Sequence, residues 1–134
     1  MYKIFTLVAV GFVLTACEGV GSTSTAGDVS LDLYNAARDQ AEAFWQQVHR
    51  QEGLEYRPVS VFMPYSESIA IPCGITLLWD ARYCPLNEGI YFHRDLLDEL
   101  QREAGDVAVV LAVAHEVGHH ISNLRGMYIA LAAG

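Results

Sequence analysis

Lysine is almost absent from this chain: the 134 residues contain one, Lys3. With 16 acidic against 8 basic side chains, the formal net charge is −8. Nucleic acids and anionic bilayer surfaces reward clustered Lys and Arg, so neither is an expected partner. Long apolar runs are missing as well. The apolar-to-small run at residues 4–16 is shorter than the about 18 residues that a membrane-spanning helix needs. Cysteine is scarce, with three in the chain, and an exported protein with three leaves one odd thiol. No internal repeat occurs. The length allows one domain with a real but modest core.

What is present begins with that N-terminal run. Lys3 precedes it and Leu14-Thr15-Ala16-Cys17 ends it. This is the layout of a secretory signal peptide, and its end resembles a bacterial lipobox, in which the peptidase cuts before a lipidated cysteine. Residues 1–16 are therefore expected to be a signal peptide. Cys17 is expected to carry lipid, anchoring the protein to a membrane on the extracytoplasmic side of the bacterial cell envelope. An ordinary signal peptide or a buried strand is the alternative. If Cys17 is lipidated, Cys73 and Cys84 remain as a pair in an oxidising compartment, where a disulfide is the expectation and two buried free thiols the alternative. Residues 17–30, small, polar and rich in glycine, read as a flexible tether.

Residues 31–134 then form the domain. Leu31, Tyr34, Ala37, Ala41, Trp45 and Val48 recur at spacings of three and four, which predicts an amphipathic helix over 31–52. Ser30 is its N-cap and Gly53 its stop. Phe44 and Trp45 are expected in the core and His49 at the surface. Alternation at residues 59–63, closed by Pro64, predicts a strand. Residues 65–88 read as a long loop stapled by the cysteines, with a short strand at 75–79. Residues 89–93 predict another strand. Residues 95–103 predict a short helix with Leu96, Leu97 and Leu100 inward, broken by Gly105. Asp106 is the expected cap of a buried helix over 107–124, stopped at Gly126. The class is α+β: an N-terminal helix, short antiparallel strands and a central helix.

That central helix carries HExxH in "AVAHEVGHHIS". Residues four apart share a helical face, so His115 and His119 can aim imidazole nitrogens at one zinc ion. Glu116 is the candidate catalytic base, taking a proton from the attacking water and delivering it to the leaving amine. Two histidines and a glutamate on an apolar helix are costly unless paired or metal-bound. His120 is turned about 100° from His119 and is expected beside the site or partly exposed.

The order Cys73-Gly74, Tyr83-Cys84-Pro85, Ile90-Tyr91, Gly105-Asp106 and Ala-His-Glu-Val-Gly-His-His at 114–120 resembles the bacterial neutral zinc metallopeptidase family. The resemblance implies a gluzincin-like (zincin) fold, zinc as cofactor, and hydrolysis of a peptide or protein substrate. It assigns His115 and His119 as metal ligands and Glu116 as base. Two departures stand out. His93 takes a place commonly held by aspartate, and no Asp, Glu or His follows His120, where the family's third ligand is expected on a further helix. The extended form HExxHxxGxxH also fails, at Ser122 and Arg125. The domain is thus expected to lack the third-ligand helix, so that the third ligand comes from upstream, with Asp106, His93 and Asp95 as candidates, from another chain, or from additional waters. A catalytically inactive, lipid-anchored binding module, or a gene fragment, is the alternative. The strand at 90–92 is expected at the sheet edge beside the motif helix, where it would pair with an extended substrate.

Overall fold

The computed structural model describes residues 31–127. Its elements run α1 (Leu31–Glu52), β1 (Val61–Tyr65), β2 (Ala70–Ile71), β3 (Gly74–Ile75), β4 (Ala81–Cys84), β5 (Gly89–His93), α2 (Arg94–Ala104) and α3 (Asp106–Leu124). The class is α+β, as the sequence predicts. The expected signal peptide, the tether and Cys17 lie outside the described residues.

Helix α1 buries Tyr34 and Ala37, and Ala41 and Trp45 pack partly against the same core. Phe44 does not join them. It is 59% exposed, because it sits one helical step off the stripe that Trp45 continues. His49 also departs from expectation and is fully buried. The chain turns back after α1, so that Nδ1 of His49 reaches the Glu55 carbonyl at 2.9 Å, with Tyr56 edge-on to the ring.

The three-stranded sheet has the order β1-β5-β4. Two sequence expectations change here. β1 and β5 are parallel, with Phe62 opposite Ile90, whereas β4 and β5 are antiparallel, as is the separate β2–β3 pair. A parallel pair needs a connection of a dozen residues or more, and residues 66–88 supply it, with the β2–β3 hairpin and β4 built into it. In consequence β5 is the central strand, not an edge: all five of its residues are buried. The strand expected at 59–63 lies at 61–65 and runs through Pro64. An edge strand tolerates that missing N–H. The stretch 75–79 is mostly loop. Gly89 begins β5 where no side chain fits, since a Cβ there would lie 2.9 Å from both Asn87 Oδ1 and the Tyr91 ring.

Gly105, at φ 75°, makes the sharp bend between α2 and α3. It is also the N-cap residue of α3, so Asp106 falls inside the first turn. There Asp106 accepts a hydrogen bond from Gln101 instead of capping. In α3, Val109, Val113, Val117 and Ile121 recur every four residues and pack with Tyr34, Ile90 and Phe92. Tyr34 stacks on Phe62 at 4.1 Å and meets Phe92 edge-on at 5.3 Å. Glu116 and His120 are buried on the same helix, whereas Val107, Val110 and Leu111 are exposed. The far ends of α1 and α3 are tied by Arg125, which donates to Glu52 at 2.6 Å and lies over the Trp45 ring. Among the described residues no helix is long and apolar enough to cross a membrane.

Candidate metal centre

One turn of α3 brings His115 and His119 side by side, with their Nε2 atoms 3.1 Å apart and their rings perpendicular. Two imidazole nitrogens on a tetrahedral zinc ion, each about 2.0–2.1 Å from it, stand about 3.3 Å apart. The observed pair is already close to that spacing. Glu116 is turned about 100° around the helix from His115, toward β4, where the backbone N–H of Tyr83 acts electrostatically on its carboxylate. Ligand-type atoms of His115, Glu116 and His119 all lie within 4.8 Å of one another. The donor set of two imidazoles and a carboxylate suits zinc. His115 is exposed, His119 half-buried and Glu116 buried, so the group opens to solvent on one side and rests against the sheet on the other.

The three upstream residues considered as further ligands do not belong to this group. Asp106 is held by Gln101. Asp95 is exposed on the first turn of α2. His93 is buried between the rings of Tyr65 and Trp79, at centroid distances of 5.4 and 6.0 Å.

Burial pushes the Glu116 carboxyl above its ordinary 4.5; positive charge on His115 works against this, Asp80 adds to it, and the Tyr83 N–H opposes it. Burial, and then His115, hold His119 below its ordinary 6.5. Both shifts favour the neutral forms, and the neutral imidazole is the one that binds metal. The two have opposite effects on stability. The folded metal-free chain binds the Glu116 proton more tightly than the unfolded chain does. That contribution is complete below about 4.5 and is lost as pH rises through the raised folded value. The His119 contribution is complete above about 6.5 and is lost as pH falls through the lowered folded value. In the metal-free chain, Glu116→Gln should therefore remove the declining component. Denaturation midpoints between about pH 4.5 and 6.5 should then rise more steeply with pH than in the native chain. Parallel curves for the two would contradict it.

His120, expected beside the site or partly exposed, is completely buried. Its Nε2 lies 2.7 Å from the Arg57 carbonyl, which can only accept, so this nitrogen carries the proton. Nδ1 then accepts from the Tyr83 hydroxyl at 3.1 Å, and that hydroxyl accepts from Asn123 at 2.9 Å. Tyr83 is thus held to α3 by its side chain while its backbone N–H favours the charged form of Glu116. The Tyr-Cys-Pro run marked Tyr83, but nothing in the sequence announced this double role. Asp80 and the buried Tyr34 hydroxyl also couple electrostatically to Glu116 without a sequence signal.

The edge of the sheet facing α3 is β4. His93 donates its N–H to the Asp80 carbonyl at 2.9 Å, so Asp80, Arg82 and Cys84 turn their backbone groups toward β5. Ala81 and Tyr83 turn theirs away from it, consistent with the Tyr83 N–H acting on Glu116. The expected disulfide is present: Cys73 and Cys84 are bonded, with Cα atoms 5.7 Å apart.

A helix-borne His-Glu-x-x-His group beside an antiparallel edge strand is the arrangement of the HExxH metal-site class. Within that class the chain belongs to the family described as "Putative neutral zinc metallopeptidase", which matches residues 15–133. The chain is also similar to "Uncharacterized protein YpfJ" of Escherichia coli (strain K12), with 32% identity over 91 residues. That alignment covers 64% of this chain and 31% of the relative. The protein of the same description from Escherichia coli O6:H1 matches with the same figures. The chain therefore spans under a third of the length of the curated relatives it matches. No solved structure matches it.

Proposed function

We propose that this chain carries the catalytic part of a zinc-dependent metallopeptidase. The observation that supports it most is the pairing of the two Nε2 atoms at 3.1 Å, with the buried Glu116 carboxylate beside them. His115 and His119 would hold the ion, which supplies Lewis acidity toward the scissile carbonyl. Glu116 takes a proton from the attacking water and passes it to the leaving amine. Its raised proton affinity suits that return step, and the Tyr83 N–H favours its charged form. The substrate backbone lies along β4, not along the central β5, and uses the outward N–H and carbonyl of Ala81. Catalytic zinc sites carry three protein ligands. With Glu116 kept as base, the third comes from outside the described residues. The N-terminal run and Leu14-Thr15-Ala16-Cys17 support lipid attachment at Cys17 and a place on the extracytoplasmic face of the cell envelope.

Stripping the purified chain with a chelator should abolish hydrolysis of an unfolded protein substrate. One equivalent of zinc should restore it. Cleavage indifferent to chelation, or no zinc uptake in titration, would remove the assignment.

A further inference from the structure

We propose that His120 is a positioning residue: by holding the Tyr83 hydroxyl it fixes the edge strand β4 against the helix that carries HExxH. The inference rests on the peptidase reading above and adds to it the group that aligns its edge strand.

β4 has one strand neighbour, β5, so its distance from α3 is set by side chains rather than by a second ladder. Side chains alternate along a strand. Cys84 packs with Tyr65 and Tyr91, and Arg82 pairs with Asp80 and donates to the Ile75 carbonyl, so both turn away from α3. Ala81 and Tyr83 face the core that α3 lines with Val113, Val117 and Ile121. Ala81 offers only a methyl group. Tyr83 is therefore the one large side chain that β4 turns toward the helix.

Its hydroxyl ends in a polar cluster. It donates to Nδ1 of His120 at 3.1 Å and accepts from Asn123 at 2.9 Å. Those two residues are three apart on α3 and share a face. On its other side His120 donates to the Arg57 carbonyl at 2.7 Å. The Arg57 guanidinium pairs with Glu88 at 2.6 Å, and the Glu88 carbonyl accepts the Ser60 N–H at 3.0 Å. Glu88 lies in the turn between β4 and β5, so the circuit closes on the strand where it began. The Arg57–Glu88 pair is open to solvent and screened by salt. The buried half, through His120, carries most of the restraint.

An apolar residue would fill the same space. A buried imidazole costs free energy unless its nitrogens are satisfied, and here both are. What a satisfied polar network adds to apolar packing is one fixed arrangement. It is fixed at the place where alignment counts: the Tyr83 N–H acts electrostatically on the Glu116 carboxylate, and His120 directly follows His119. A misplacement of about 1 Å at a reacting centre can cost about 10²-fold in rate.

The test removes the hydroxyl and the imidazole separately and together. In Tyr83→Phe, which keeps the ring, kcat for zinc-dependent cleavage should fall about tenfold, with KM and zinc affinity within about twofold of the native chain's. His120→Phe should do the same. The double variant should lose no more than the worse single one, since both break one linkage. In the metal-free chain, amide exchange at residues 82–84 should quicken about tenfold in either variant, while that of Val113 and Val117 stays unchanged. Faster exchange of all amides alike, with kcat per folded molecule unchanged, would make the cluster a stabilising contact only and overturn the inference. Losses that multiply in the double variant, or zinc lost in step with kcat, would equally overturn it. If His120→Phe does not fold, Tyr83→Phe decides alone. A native chain that never cleaves peptides would remove the peptidase reading, whereas unchanged β4 exchange in the variants would remove the positioning role by itself.

Discussion

Replacing Glu116 with glutamine is expected to lower zinc-dependent peptide hydrolysis by about 10²–10⁴-fold, the usual contribution of a positioned general base. Glutamine keeps the shape, so the burial of the side chain survives. It cannot take up a proton. Zinc affinity should stay within a few-fold of the native chain's, because the paired nitrogens of His115 and His119 are untouched. His115→Ala and His119→Ala should instead lose zinc, and activity with it. Zinc titration beside the peptidase assay separates the two patterns. A glutamine variant that loses the metal as the histidine variants do would make Glu116 a ligand. One that keeps full activity would exclude it as the base.

The second large effect concerns stability. Cys84 is fully buried at the end of β4, and its bond to Cys73 spans 11 residues of sequence. In the chain-entropy description, closing a loop of that size stabilises the folded state by about 3 kcal/mol. For a domain of roughly 100 residues, that corresponds to about 12–24 °C in melting temperature. Cys73→Ala/Cys84→Ala, or the native chain under reductant, should therefore melt lower by about that much. A loss of only a few degrees in thermal denaturation would show that the core carries the loop without the bond.

Elements with a strong local period were legible in the sequence. Helices α1 and α3 announce themselves through residues such as Tyr34 and Ala37, or Val109, Val113 and Val117, which recur once per turn. The histidine pair was legible for the same reason, since spacing alone puts His115 and His119 on one face. The placement of strands was not. Residues 89–93 read as a strand, but nothing local says that Ile90 will lie between two partners, one of them 28 residues earlier at Phe62. β4 was missed because Arg82 and Cys84 show no alternation of apolar and polar residues; the motif helix, a long-range contact, is what gives that edge its role. His49 and His120 were misplaced for a related reason. An imidazole can be buried whenever two distant partners satisfy it, and those partners, such as the Arg57 carbonyl, are fixed by the fold.

The outward face of α3 has a consequence for how copies of this chain behave together. Among the described residues, Val107, Val110 and Leu111 form an exposed apolar ridge along the helix that carries the histidines. In dilute buffer near neutrality, like-charge repulsion between molecules of net charge −8 works against contact of such ridges. That repulsion is a long-range force, with a reach of about 10 Å at 0.1 M salt and about 3 Å at 1 M. The ridge attraction acts at contact and gains strength from excluded salts such as sulfate. Colloidal stability of the isolated chain is therefore set by ionic strength and by carboxylate protonation. Concentrated salt or mild acid shifts the balance toward self-association.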